Sequence, residues 1–267
     1  MKDRRQNIPS KMAKTRVVLR SRELTRYVPV TRLFHRETLR RMLEKNGMVY
    51  VKPDIGSLGI GVIKVEKKGL AYSYQSGTRR FSFPGFPALF RSLQQRIGRR
   101  RYLVQKGIHV LRHGHRPFDF RVMIQRSPSR RWEPTGIAGR VAHPLKIVTN
   151  GSQGGTIYPA AALLTPHGGK AGAGRLIRLM NRIARVTAAQ LSRTYPALNE
   201  LGLDVAIDRS LRPWILEVNT SPDPCPFTKL PDRRMIRKIV AYARGYGKHY
   251  RLVCNKAKRA PATGRKR

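Results

Sequence analysis

The stretch GLDVAIDRSLRPWILEVN, residues 202–219, constrains this chain most. Two short apolar runs, 203–207 and 214–218, flank an Asp-Arg-Ser-Leu-Arg-Pro turn. Their lengths and Val/Ile content predict two strands joined by a tight loop. Glu217 and Asn219 lie two apart and so share one face of the second strand. Hairpin pairing can bring Asp204 opposite them. Two carboxylates and an amide oxygen converging at a sheet end make a hard-oxygen site suited to Mg2+ carrying phosphates. The alternative is a polar hairpin whose acids face solvent. Only 14 of 267 residues are acidic, and Asp204, Asp208 and Glu217 all fall here, which favours the site.

A chain of this length, 40% hydrophobic, can bury a substantial core in one large domain or two smaller ones. No apolar run approaches about 18 residues, so no transmembrane segment is predicted. The basic amino terminus has no apolar run behind it and does not read as a secretory signal. Cys225 and Cys254 have no paired spacing and suit a reducing, cytoplasmic compartment. The formal charge, 56 basic against 14 acidic residues, is +42. So large a charge draws nucleic acid or any anionic surface whether or not such binding is the function. The signatures of zinc fingers, aromatic RNP strands and homeodomain arms do not occur.

In chain order, residues 1–20 read as a frayed start followed by a strand at 16–19. A helix begins at Thr31 or His35 and closes at Asn46-Gly47. MVYVKP (48–53) is a strand, DIGSLGIG (54–61) a glycine-rich loop and VIKVEKK (62–68) the next strand, with further ribbons to 83. Residues 88–97 form an amphipathic helix and YLVQKGIHV a strand. PFDFRVMIQ (117–125) alternates as a half-buried strand with Asp119 and Arg121 on its polar face. WEPTGIAGRVAHP pairs with it, and VTNGSQGGTIYP (148–159) is a second glycine-rich loop. Residues 171–195 form the clearest helix, Asp232 caps a last one, and 255–267 read as disordered.

Lys52 ends a strand just before the first glycine loop. A point charge there, beside backbone N–H groups freed by Gly56, Gly59 and Gly61, would hold polyphosphate. The pattern is not the Walker form, and alone a plain hairpin loop explains it equally well. Gln105, Lys106 and Ile108 lie at a strand end where amide, main-chain and apolar groups could frame an adenine. Taken singly they are ordinary strand residues. The combination with Asp119, Arg121, Arg140, Asn150 beside Gly154 and Gly155, and the Asp204, Glu217, Asn219 set is more informative.

In that order these residues resemble the ATP-grasp superfamily, from about Val30 to Asp223. The wording is most similar to endospore coat-associated proteins of the YheC/YheD type. The shared phrases are MVYVKPDIGSLGIGV, YLVQKGI, RPFDFRVMIQ, GIAGRV, VTNGSQGG, LGLDVAIDRS and WILEVNTSP. The resemblance implies an α+β fold in which two lobes with antiparallel sheets clasp ATP and Mg2+. It assigns Lys52 to the phosphates and the Gly56, Ser57, Gly59, Gly61 loop to closure over them. Gln105, Lys106 and Ile108 would form the hinge against adenine, and Asp119 and Asn150 would also serve nucleotide binding. Asp204, Glu217 and Asn219 would be metal ligands, with Arg121 and Arg140 near the transferred phosphoryl group or the carboxylate substrate.

Superfamily enzymes typically activate a carboxylate as an acyl phosphate and let an amine or other nucleophile displace phosphate. The resemblance therefore implies a carboxylate substrate, a nucleophilic acceptor and no protein nucleophile. It divides the chain into a basic N-terminal segment (1–29), a small lobe (30–108), a large lobe (109–250) and a basic tail (251–267). Most of the leading α/β domain usual in the superfamily is not expected, so either the acceptor site is reduced or a second chain completes it. The positive charge suggests an acidic polymer as acceptor, and the branch suggests a sporulating cell or spore coat. The alternative is a non-catalytic spore protein, or one that binds nucleic acid or another polyanion. Loops at 110–117, 143–155 and 220–227 would line the acceptor pocket.

Overall fold

Ser10 turns the extended amino-terminal stretch into a helix, its hydroxyl accepting from Ala13 N while α1 runs Lys11–Val18. The computed structural model describes residues 7–144, 154–255 and 257–261. The strand read at 16–19 is thus largely helix. Its cap is completed from a distance, since the Asp54 carboxylate accepts from Met12 N at 2.8 Å. A short helix, α2 (Arg22–Thr25), follows behind the Ser21 cap.

The small lobe is built on alternation. The sheet runs β1 (Thr31–Leu33), β6 (Tyr102–Lys106), β2 (Met48–Pro53), β3 (Ile63–Lys68), β4 (Ala71–Ser76) and β5 (Arg79–Phe83), every pairing antiparallel. Val49 and Val51 of β2 pack with Leu39 and Leu43 of α3 (Arg36–Asn46) and Leu89 and Leu93 of α4 (Phe86–Ile97). Tyr50 and Lys52 therefore point the other way, into the cleft between the lobes. Helix α3 begins after His35 and ends at left-handed Gly47 (φ 67°), while Thr31 belongs to β1.

The large lobe is a second sheet in the order β12 (Pro213–Asn219), β11 (Glu200–Ile207), β8 (Arg116–Arg126), β9 (Trp132–Val141), β10 (Thr156–Pro159) and β13 (Lys258–Arg259), with β7 (Arg112–His113) beside β8. Phe118, Phe120, Val122 and Ile124 of β8 pack beneath α5 (Ala160–Thr194), joined by Val17, Val18 and Leu24 from the amino-terminal helices. Met123 faces Ile236 and Ile239 of α6 (Arg234–Gly245) on the opposite side. Strand β8 is consequently buried on both faces rather than one. Gln125 is accommodated by donating to Ile239 O at 3.0 Å and accepting from Thr135 Oγ1 at 2.5 Å.

Four further differences concern the carboxyl-terminal half. Helix α5 starts eleven residues before the predicted 171 and breaks at Gly169 (φ 65°, ψ 177°), so two helices lie end to end. Asp232 accepts from Arg234 N at 2.9 Å, one position outside the cap site, which is Arg233. The tail read as disordered supplies β13, parallel to β10, with Thr156 opposite Lys258. Cys225 and Cys254, read as separate thiols, form a disulfide.

Candidate active site

Strand register puts the charged residues in two neighbouring rows across the large sheet. Glu217 lies opposite Asp204, Asp204 opposite Arg121, and Asp119 opposite Arg140. Arg121 donates from Nε to Asp204 Oδ1 at 2.7 Å. Arg140 meets Asp119 through two bonds of 2.8 and 2.7 Å, and its Nη2 lies 3.2 Å from Asp204 Oδ1. All four side chains are buried. Desolvation of charges this deep costs several kcal/mol each (on the order of) unless they pair, which the two arginines and two aspartates do. Burial opposes the charge on Asp204, but Arg121 and Arg140 outweigh it and hold the carboxyl below its usual range. Burial likewise opposes the Arg140 charge, and Asp119 and Asp204 outweigh it, raising its pKa.

The lobes meet at a bulge. The β11–β12 register shifts between Asp204 and Val205, so Leu216 falls outside the ladder. Its carbonyl accepts from Lys52 Nζ of the small lobe at 3.0 Å. Lys52 also donates to Gln105 Oε1 at 2.9 Å, and Gln105 Nε2 donates to Thr31 Oγ1 at 3.0 Å. Burial pushes the Lys52 pKa down to about 8, with Glu217 acting in the opposite sense. Here the Gln105 side chain is engaged with Lys52 and Thr31. Lys106 and Ile108 line the same cleft, with Lys106 Nζ 5.6 Å from the Trp214 ring centre. Asp119 lines it as well, with its carboxylate committed to Arg140.

Gly56, Ser57 and Gly59 border an adjoining cavity of about 410 Å3, whose floor carries Arg121, Asp204, Glu217 and Asn219; Gly61 follows in the same loop without lining it. Gly61 sits at φ 75°, and a Cβ there would come within 2.7 Å of the Tyr102 hydroxyl, so the loop needs glycine at this point. Asn150 lies outside the described residues, as does the first half of the second glycine loop. Of the loops expected around the acceptor, residues 221–226 reach this cavity, whereas Val110 and Pro117 line the neighbouring cleft.

Two functional candidates escaped the sequence reading. Lys11 and Lys14 project from α1 into this region and are buried. Lys11 donates to Gly56 O at 2.8 Å and lies 3.6 Å from Glu217. Burial lowers the Lys14 pKa to about 8, partly offset by Glu217. The one signal for them is the Ser10 cap, which starts a helix and sets both lysines one turn apart. Lys11, Lys14, Lys52, Arg121 and Arg140 bring five basic side chains to a region that also holds Asp54, Asp119, Asp204, Glu217 and Asp223.

Among the described residues no cluster of three or more His, Cys, Asp and Glu side chains could hold a metal by itself. The donor set is one carboxylate at the cavity floor, Glu217, the Asn219 amide, and Asp204 with one oxygen engaged by arginine. Mg2+ is commonly held by one or two carboxylates plus substrate phosphates. The donors therefore fit an ion arriving with a nucleotide better than a resident one.

The chain matches the YheC/D-like ATP-grasp family over residues 5–249. It belongs to that family. Two relatives from Bacillus subtilis (strain 168) are endospore coat-associated proteins. YheD is 25% identical over 186 residues, spanning 65% of this chain and 39% of the relative. YheC is 25% identical over 206 residues, spanning 73% of this chain and 55% of the relative. The chain thus spans about half or less of the length of these relatives. N5-carboxyaminoimidazole synthase from Aspergillus clavatus, solved with ADP and an aminoimidazole ribonucleotide, superposes with a TM-score of 0.50 at 10% identity. The match covers 80% of this chain and 45% of the synthase chain. This ATP-grasp fold accounts for the two sheet-based lobes and the cleft between them.

Proposed function

We propose that the chain binds MgATP between its lobes and works as an ATP-dependent carboxylate–amine or carboxylate–thiol ligase through an acyl phosphate. The observation that carries this reading is the Lys52 contact with the bulged Leu216 carbonyl, one residue from Glu217. It sets Lys52 of one lobe, which would hold phosphates, against the strand of the other lobe that would hold the metal. In this reading Lys52 and Lys11 hold phosphates, and the backbone of the glycine loop closes over them. Ile108 and the main chain at Gln105 and Lys106 frame the base. Glu217, Asn219 and the remaining oxygen of Asp204 hold Mg2+, which when bound neutralises phosphate oxygens. Arg121 and Arg140, fixed by Asp204 and Asp119, present positive charge where negative charge develops on the transferred phosphoryl group.

The substrates are a carboxylate and a nucleophile meeting in the 410 Å3 cavity. The family's coat-associated relatives support a place in the sporulating cell or spore coat. A screen for ADP release against pooled amino acids, small peptides and spore-envelope extracts tests the reading, with Glu217→Ala as the blank. Acceptor-stimulated release that the variant lacks is the expected result. Stoichiometric ATP binding with no stimulated release would favour a binding or structural protein.

A second reading rests on charge. Arg175, Arg178, Arg182 and Arg185 recur along one exposed face of α5, and Arg182 pairs with Glu23. That row suits an acidic polymer, which could be the acceptor or a separate partner.

A further inference from the structure

The far wall of the acceptor cavity comes from the end of the chain. Tyr250 donates to the buried Glu200 carboxylate, which anchors the segment on one side. Eight residues later β13 anchors it again, with Lys258 N donating to Gly155 O at 3.0 Å and Ala260 N to Ile157 O at 3.1 Å. Between these anchors Val253, Cys254 and Asn255 border the cavity. Cys254 is bonded to Cys225, in the loop that follows the strand bearing Glu217 and Asn219.

We propose that this segment is a strap forming the acceptor-side wall of the cleft, and that the Cys225–Cys254 bond fastens it there. The inference rests on the ligase reading only for the word acceptor; the strap itself is independent of nucleotide. Val253 is 72% exposed, and Leu58 and Ile60 of the glycine loop, 51% and 66% exposed, border the same cavity. Apolar side chains left in water at the mouth of a charged cavity are suited to the apolar part of a substrate whose polar end reaches Arg121 on the floor. The strap thus selects a carboxylate carrying an apolar group.

Its fastening is reversible. One thiolate of an external dithiol attacks a sulfur of the bridge, and the displaced cysteine leaves as a thiolate and takes a proton. The second sulfur of the dithiol then closes on the first, freeing the other cysteine. The bridge gains two electrons and two protons, and the dithiol loses them. With the bond open, the short β13 pairing and the Tyr250 anchor are left to hold the strap.

Hydrogen exchange on the full chain, with and without dithiothreitol, tests this, alongside alkylation with iodoacetamide read by intact mass. The expected result is no alkylation before reduction and two additions after it. Reduction should raise exchange at least about fivefold in peptides covering 251–255 and in the loop 220–224 beneath. Peptides over Tyr102–Lys106 should not change. Cys254→Ser should reproduce the reduced pattern without dithiothreitol. Alkylation of both cysteines in the unreduced protein would overturn the proposal, as would exchange at 220–224 indifferent to reduction and to Cys254→Ser. Failure to bind MgATP in either state would instead sink the nucleotide reading, because the exchange readout needs no nucleotide.

Discussion

Replacing Lys52 with methionine separates the cost of this site from its use. The ammonium is buried, and lowering its pKa from 10.5 to about 8 corresponds to roughly 3 kcal/mol of destabilisation of the charged form. Because the folded pKa lies below the unfolded one, that cost is present in full below about pH 8 and disappears as the pH rises towards 10.5. Methionine removes it but strips a donor from Gln105 Oε1 and Leu216 O, each loss costing about 1–3 kcal/mol. The terms largely offset, so the ligand-free variant should unfold in urea within about 3 kcal/mol of wild type at pH 7. Nucleotide binding has no such compensation. Loss of a desolvated charged contact should weaken MgATP by about 2–5 kcal/mol, or about 30-fold to several thousand-fold, in a calorimetric titration. Wild-type affinity should also fall as the pH rises past about 8 and Lys52 gives up its proton. A variant that binds MgATP within threefold of wild type would refute the reasoning.

Asp119→Asn should cost about 3–5 kcal/mol in urea unfolding, since it breaks the buried bidentate pair with Arg140; a loss below about 1 kcal/mol would show that Asp204 alone suffices. Gly61→Ala should lower the thermal midpoint, through about 1–3 kcal/mol of backbone strain and the clash with the Tyr102 hydroxyl; an unchanged midpoint would contradict the loop geometry. Acid should destabilise the fold through Asp204, whose folded pKa lies below 3.8: its contribution is present above that value and is lost as the pH falls through the folded one. Asp204→Asn should flatten that part of a pH–stability profile. Binding of a short DNA duplex should fall steeply and linearly in log–log form with salt, and weaken on deletion of residues 255–267 or on neutralising Arg175, Arg178 and Arg185; affinity that survives high salt would point to a dedicated nucleic-acid site.

The sheets were legible in the sequence because they rest on local alternation. The 202–219 hairpin forms with Asp204 opposite Glu217, and β2 carries Lys52 to the edge of the glycine loop. What escaped depends on distant partners. Helix α1 is short, and Asp54 supplies part of its cap from across the chain, so Lys11 and Lys14 gave no periodic signal. The second face of β8 is buried because α6 returns over it from more than a hundred residues away, which alternation alone does not reveal. The disulfide spans 29 residues and depends on a tail that reads as charged and irregular until β13 joins β10. Gln105 and Asp119 are in the cleft, yet their side chains serve Lys52 and Arg140, a division of labour that strand spacing does not express.

The central claim is that nucleotide and metal meet between Lys52 and Glu217. An anomalous-difference map from crystals grown with ADP and Mn2+ in place of Mg2+ tests it most directly. The account predicts a metal peak at about 2.0–2.3 Å from oxygens of Glu217 and Asn219, phosphates beside Lys52 and Lys11, and the base against Gln105, Lys106 and Ile108. A nucleotide seated elsewhere on the molecule, or a metal peak away from Glu217, would contradict it.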